Sequence, residues 1–296
     1  MSQRWAYLVA LVLVGIGWGS TQPLGKIAAS GGKGPYALIL GQLVVCVVVL
    51  GAIALVRRKG LVWTRAALQF YLVVAVLGTL VPNATFYISV ARLPAGIMSI
   101  LISTVPLMAF PLSLALGIDR FEGKRVVGLA LGLLGVALIA VPSTGLPDPS
   151  MAAFIPLALI GPLFYAMEGT YVARFGTAGM DPLQAMFGAS VAGLVLCVPL
   201  TWASGQWTNP FAPWGTPTMA LIGSSMLHAL LYSAYVAIAA RAGAVFATQS
   251  AYIVTLAGLC WAMALLGEQF SAWVWAAMVV MMAGMAMVQP RLRAKV

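Results

Sequence analysis

The sequence predicts an all-α membrane protein of ten transmembrane helices, built as two inverted five-helix repeats with both termini in the cytoplasm. Three observations carry this. Charged residues are too few for a water-soluble surface, uncharged windows of helix-spanning length recur along the chain, and the two halves resemble each other at a fixed offset.

Of the 296 residues, 62% are hydrophobic and 7% charged, against about 25% charged in a soluble domain. So much apolar surface calls for lipid as solvent and first partner. A helix needs about 20 apolar residues to cross a hydrocarbon core of about 30 Å. Windows of that size run near 5–25, 34–56, 66–91, 93–118 and 126–147, then 149–173, 182–202, 214–240, 242–267 and 269–290. The uncharged stretch from Pro182 to Ala240 is divided at Ser204–Trp214, where Gly205, Asn209, Pro210 and Pro213 supply turn chemistry. Trp63, Trp202, Trp207, Trp214 and Trp273 stand at span ends, as interfacial anchors do.

Ten spans place the loops alternately on two sides, and the basic residues sort with them. Thirteen collect on one side: Arg4, Arg57, Arg58, Lys59, Arg65, Arg120, Lys124, Arg125, Arg174, Arg241, Arg291, Arg293 and Lys295. Lys26, Lys33 and Arg92 fall on the other. Lys and Arg concentrate on the cytoplasmic side, so the asymmetry predicts an even span number and cytoplasmic termini. It also absorbs the net charge of +10; no basic cluster interleaved with exposed aromatics points to nucleic acid. Cys46, Cys197 and Cys260 lie within spans and form no disulfide framework. The first span, with Arg4 before an apolar run, is too long for a signal-peptide core.

Setting residue n against n+149 superposes the halves. Arg92 meets Arg241, Val105 meets Val254, Asp119 meets Glu268, Phe121 meets Phe270 and Gly135 meets Gly284. The first repeat is expected over 1–147 and the second over 148–296. Five spans per copy is an odd number, so the second copy enters the membrane upside down. Many secondary transporters are built this way, with a central site between halves that tilt against each other.

Trp18-Gly19-Ser20 with Lys26 following resembles the opening of the EamA-type repeat of the drug/metabolite transporter superfamily. Leu265-Leu266-Gly267-Glu268-Gln269-Phe270, before a Gly- and Met-rich last span, resembles its close. The first copy departs in closing on Leu116-Gly117-Ile118-Asp119, with Asp for Glu, and the second in opening on Phe164-Tyr165-Ala166-Met167-Glu168, without Trp. The resemblance spans essentially the whole chain. It implies a ten-helix inner-membrane exporter of amino acids or other small metabolites, with a cavity formed by the first four helices of each repeat and the fifth and tenth helices outside it.

The residues themselves offer candidates for that cavity. Glu168 is the one acid well inside a span, and a carboxylate in hydrocarbon costs about 2.5 kcal/mol or more, so it calls for a cavity or a partner. Pairing with nearby Arg174 competes with binding a substrate amine or a proton. His228, the only histidine, shares a helix face with Tyr232 and Tyr235; a packing role competes with a place in the cavity, and no second ligand at suitable spacing makes it a metal site. Ser20, Gln22, Gln42, Asn83, Ser103 and Gln249 are polar positions within spans, where bonds between helices are the commonest use. Asn83 follows Pro82, which frees a backbone carbonyl that something must satisfy. Trp18, Tyr87, Tyr165 and Tyr252 offer amphipathic walls. Amides, hydroxyls and rings with little charge suit amino acids, neutral or aromatic.

Asp119 and Glu268 sit at span ends, where helix termination and interfacial water account for them, with a gating role for either as the alternative. No Gly-x-x-x-x-Gly-Lys loop supplies an ATP engine, no catalytic constellation points to an enzyme, and no cofactor is implied. Export of drugs or nucleosides, an intramembrane enzyme and a non-transporting receptor remain as alternatives. The sequence leaves monomer and homodimer open.

Overall fold

The computed structural model describes residues 3–117, 119–140, 146–242 and 249–288. Ten helical segments follow in order: α1 Gln3–Ala29, α2 Pro35–Val56, α3 Arg65–Val90, α4 Ala95–Ala115 and α5 Gly123–Ala140. The second set is α6 Pro149–Phe175, α7 Pro182–Ala203, α8 Thr216–Ala242, α9 Ser250–Leu266 and α10 Ala272–Val288. All ten expected spans are helical. The expected ends of the fourth, fifth and tenth spans, at Ile118, 141–145 and 289–290, lie outside the described residues, as does the ninth span's start at 243–248 and the basic tail of Arg291, Arg293 and Lys295. Seven of the helices are long and apolar enough to cross a bilayer on length and composition alone. Side chains such as Leu13, Val48, Val195 and Val279 are 60% or more exposed, which suits lipid and not water.

Cross-chain bonds confirm that successive loops alternate between two faces. Lys59 pairs with Asp181, and the Gln184 amide donates to the Gly60 carbonyl at 3.0 Å, joining the α2–α3 and α6–α7 loops. Arg125 at the start of α5 donates to the Val288 carbonyl at the end of α10 from Nε at 3.0 Å and Nη2 at 2.9 Å. These contacts lie on the face that carries both termini. On the far face Lys26 meets Glu268, joining the α1–α2 and α9–α10 loops, and Lys33 donates to the Pro210 carbonyl at 2.7 Å.

Helix packing has the symmetry expected of inverted copies. Helices α2 and α7 pack together, as do α4 and α9, and α5 and α10, so each packs on its own repeat mate. The most extensive of the remaining contacts come in mirrored pairs: α1 with α8 and α6 with α3, α1 with α9 and α6 with α4, α3 with α7 and α8 with α2. A pseudo-two-fold axis in the membrane plane produces this pattern.

Helices α5 and α10 stand apart from the central eight and pack on each other by backbone approach. A Cβ at Gly135 would lie 2.7 Å from Met281 Cβ, one at Gly128 would lie 2.8 Å from the Gly284 carbonyl, and one at Gly284 would fall on the backbone of Gly132. Small residues give membrane helices such close contact where no hydrophobic drive exists. The Met-rich face of α10 is thereby spent within the chain, with Met278, Met281 and Met285 buried.

Arg125 is buried, with its guanidinium 4.2 Å from the Phe110 ring centroid and ion-paired to Asp119. Burial opposes ionisation of Asp119, but the Arg125 hydrogen bond, the Arg120 N–H and the Arg125 charge together outweigh it and hold the carboxyl below its ordinary range. A depressed carboxyl stabilises the fold above its unfolded pKa of about 4, and that contribution is lost as pH falls through the folded pKa. Asp119→Asn should cost about 1–3 kcal/mol at neutral pH, because it strands a buried guanidinium. In thermal melts the variant's stability should fall less steeply below about pH 4 than the parent's.

Candidate functional site

Midway along α3, the helix widens into a π-turn over Val76–Leu80 before resuming at Val81–Val90. The cause is Pro82, which has no N–H to offer the carbonyl four residues earlier and whose ring crowds it. That carbonyl belongs to Gly78. The π-turn is how a helix absorbs the fault, and it presents the bare backbone of Gly78 to α6.

Glu168 fills the space so opened. A Cβ on Gly78 would lie 2.5 Å from Glu168 Oε2 and 2.7 Å from Oε1, so the carboxylate lies flat against the π-turn. The side chain is buried. The ion pairs among the described residues are Lys26–Glu268, Lys59–Asp181 and Arg125–Asp119, so none supplies Glu168 with a cation. The pairing with Arg174 is not formed, because Arg174 is exposed on the last turn of α6. Tyr165 stands three residues before Glu168 on α6, on the same side of that helix.

A narrow crevice of about 10 Å³ lies alongside, lined by Gln42, Cys46, Thr79, Ser190, His228 and Tyr232, with apolar walls from Leu43, Leu50, Met186 and Ala229. Its open core admits little more than a water molecule. Tyr87 on α3 donates to Gln42 Oε1 on α2 at 3.3 Å. From α1, the Trp18 ring lies 6.4 Å from Tyr232 and 5.3 Å from Tyr235, and His228 lies 6.4 Å from Tyr232. Seven expected residues, Trp18, Gln42, Tyr87, Tyr165, Glu168, His228 and Tyr232, thus converge from α1, α2, α3, α6 and α8.

The other candidates lie elsewhere. Ser20 returns its hydroxyl to the Gly17 carbonyl at 2.7 Å. Ser103 accepts from Thr255 and donates to the Ser99 carbonyl at 2.9 Å, tying α4 to α9 at the bend that divides α4. Asn83 is buried one residue past Pro82. Gln22 has a buried Oε1 with no hydrogen-bond partner among the described residues. Gln249 and Tyr252 are half-buried at the start of α9. The expectation missed Gly78, Thr79, Cys46 and Ser190. The π-turn pair had a signal, since Gly78 stands four residues before Pro82. Cys46 and Ser190 had none, being small polar residues of ordinary membrane helices.

Gly78→Ala places its methyl group on the Glu168 carboxylate and should displace that flexible side chain. Transport should fall about tenfold, mainly through a higher half-saturating substrate concentration, while the thermal midpoint moves little. Concentration-dependent flux and a melt on the same preparation check it.

A comparison of the whole chain with a solved crystal structure gives a TM-score of 0.65 at 17% identity, covering 97% of this chain and 96% of that one. The fold is therefore shared. The uncharacterized transporter YvbV of Bacillus subtilis (strain 168) is 28% identical over 219 residues, which cover 70% of this chain and 68% of the relative. The sequence pattern of the EamA-like transporter family matches twice, over residues 4–141 and 153–289. With both halves matched, and five helices in each, the chain belongs to the EamA-like transporter family.

Proposed function

We propose that this transporter exports amino acids, neutral or aromatic, from the cytoplasm by alternating access, and that it binds the substrate ammonium at Glu168. The observation that carries the reading is a buried carboxylate with no cationic partner among the described residues, on the π-turn whose Thr79 lines a crevice with Tyr232, against which the Trp18 ring packs. An ammonium there gains a charge-assisted hydrogen bond and the attraction of aromatic faces. Gln42, His228 and Ser190 offer polar groups for the carboxylate end of a zwitterion. The narrowness of the cavity fits alternating access, since a metabolite enters only when the halves tilt apart. The preponderance of Lys and Arg on the face that carries the termini supports a cytoplasmic assignment for that face.

Counterflow in proteoliposomes tests this reading. A panel of amino acids, purine nucleosides and cationic drugs is offered to vesicles preloaded with the unlabelled compound. Saturable uptake of aromatic or neutral amino acids is the expected result. Uptake confined to nucleosides or drugs would overturn the substrate assignment.

A further inference from the structure

The repeats are related by symmetry, but the two faces of the bundle are not in the same state. On the far face, Glu268 accepts the Ala95 N–H at 2.8 Å and the Gly96 N–H at 3.0 Å, capping the first turn of α4 with a carboxylate. The same carboxylate lies 3.4 Å from Lys26 Nζ, which donates to the Leu93 carbonyl at 2.7 Å. The Phe270 ring lies over Gly96, where any Cβ would strike it. A negative group at a helix N-terminus with a lysine beside it is a strong, specific fastening.

Across the bundle, the residues 149 positions earlier behave differently. Asp119 turns to Arg125 at the start of α5, and Phe121 is 76% exposed. The apolar packing shows the same division. One continuous cluster fills the far half, including Leu38, Leu43, Leu80, Ile97, Leu101 and Leu221, and runs on along α5 and α10 to Val288 on the termini face. Among the other helices the packing toward the termini divides into separate clusters, one on α3 and α7, one on α2, α7 and α8, and one on α1 and α8.

We propose that Glu268, Lys26 and Phe270 form a latch that holds the far face shut, and that this face opens only when the carboxylate leaves the N-terminus of α4. Asp119 and Phe121, the corresponding residues of the first repeat, form no such fastening among the described residues. The Phe270 ring packs on Gly96 beside the Glu268 bonds, while Lys26, 30% exposed, and the crevice that it lines with Glu268 let solvent compete for them. The fastening is therefore firm enough to seal and open enough to release. Its place in a transport cycle rests on the transporter reading, but its effect on access does not.

The test uses a reporter cysteine at Met98, which is 3% exposed in the sealed half of α4, in a chain whose three native cysteines are replaced by Ala. An impermeant maleimide is added outside intact cells, and a cysteine at exposed Ser30 checks that the far face meets the reagent; inside-out vesicles serve if it does not. Glu268→Ala should speed labelling of the reporter about tenfold, and Lys26→Met and Phe270→Ala severalfold, as expected for loss of one charge-assisted fastening. Asp119→Asn should leave the rate within about twofold. An unchanged rate in folded Glu268→Ala overturns the proposal. If that variant does not fold, unchanged rates in both Lys26→Met and Phe270→Ala overturn it, as would an equal rise in Asp119→Asn. The labelling needs no substrate, so a failed latch and a failed substrate assignment are distinguishable.

Discussion

Glu168→Gln lowers saturable counterflow of ammonium-bearing substrates by about ten- to a hundredfold, the worth of one charge-assisted hydrogen bond in a dry site. Gln keeps the size of Glu and still fits against Gly78, so folding should be spared. Removing an unpaired buried carboxylate relieves a desolvation cost, and the variant's thermal midpoint should equal or exceed the parent's. Loss of flux together with unchanged or higher stability separates a binding role from a packing role. A carboxylate retained for structure would give the opposite pattern, with lower stability and normal flux.

Gly284→Ala should destabilise the protein by about 2 kcal/mol or more, because the new methyl group meets the Gly132 backbone, which cannot move aside as a side chain would. Gly223→Ala in α8 meets nothing within 4 Å and should change stability by no more than about 0.5 kcal/mol. Melting both variants in the same detergent makes the contrast. Helices α5 and α10 hold the two repeats together away from the cavity, so residual flux of folded Gly284→Ala should keep the parent's half-saturating concentration.

The spans were legible because lipid imposes one solution: each crossing needs an uninterrupted apolar helix, and charge and turn residues mark where it stops. Repeat architecture was legible because Asp119 and Glu268, and Phe121 and Phe270, keep a common spacing. Glu168 was legible because a carboxylate in a span is costly, and Pro82 because a missing N–H disturbs a helix. What joined them was hidden. That the fault at Pro82 opens a bare backbone patch at Gly78, and that Glu168 lies on it, depends on the rotation of α3 against α6. Glu268 was read as a helix-end acid in interfacial water. It instead reaches Ala95 and Gly96, more than 170 residues away in the chain, and only the folded bundle brings them together.

Alternating access between inverted repeats is most directly tested by distances between spin labels on the two faces, with and without substrate. On the termini face, α1 packs with α8 and α3 with α7 in separate apolar clusters, so labels at exposed Ala6 on α1 and Ala66 on α3 report the distance between them. Exchanging each helix for its repeat mate places the complementary gap on the far face, between α3 with α6 and α8 with α2, where exposed Ala91 after α3 and Thr216 at the start of α8 report it. Substrate should shorten the first distance and lengthen the second in the same population of molecules. Distances that both stay fixed, or that both lengthen, while saturating substrate is bound would contradict a carrier whose halves rock about one central site.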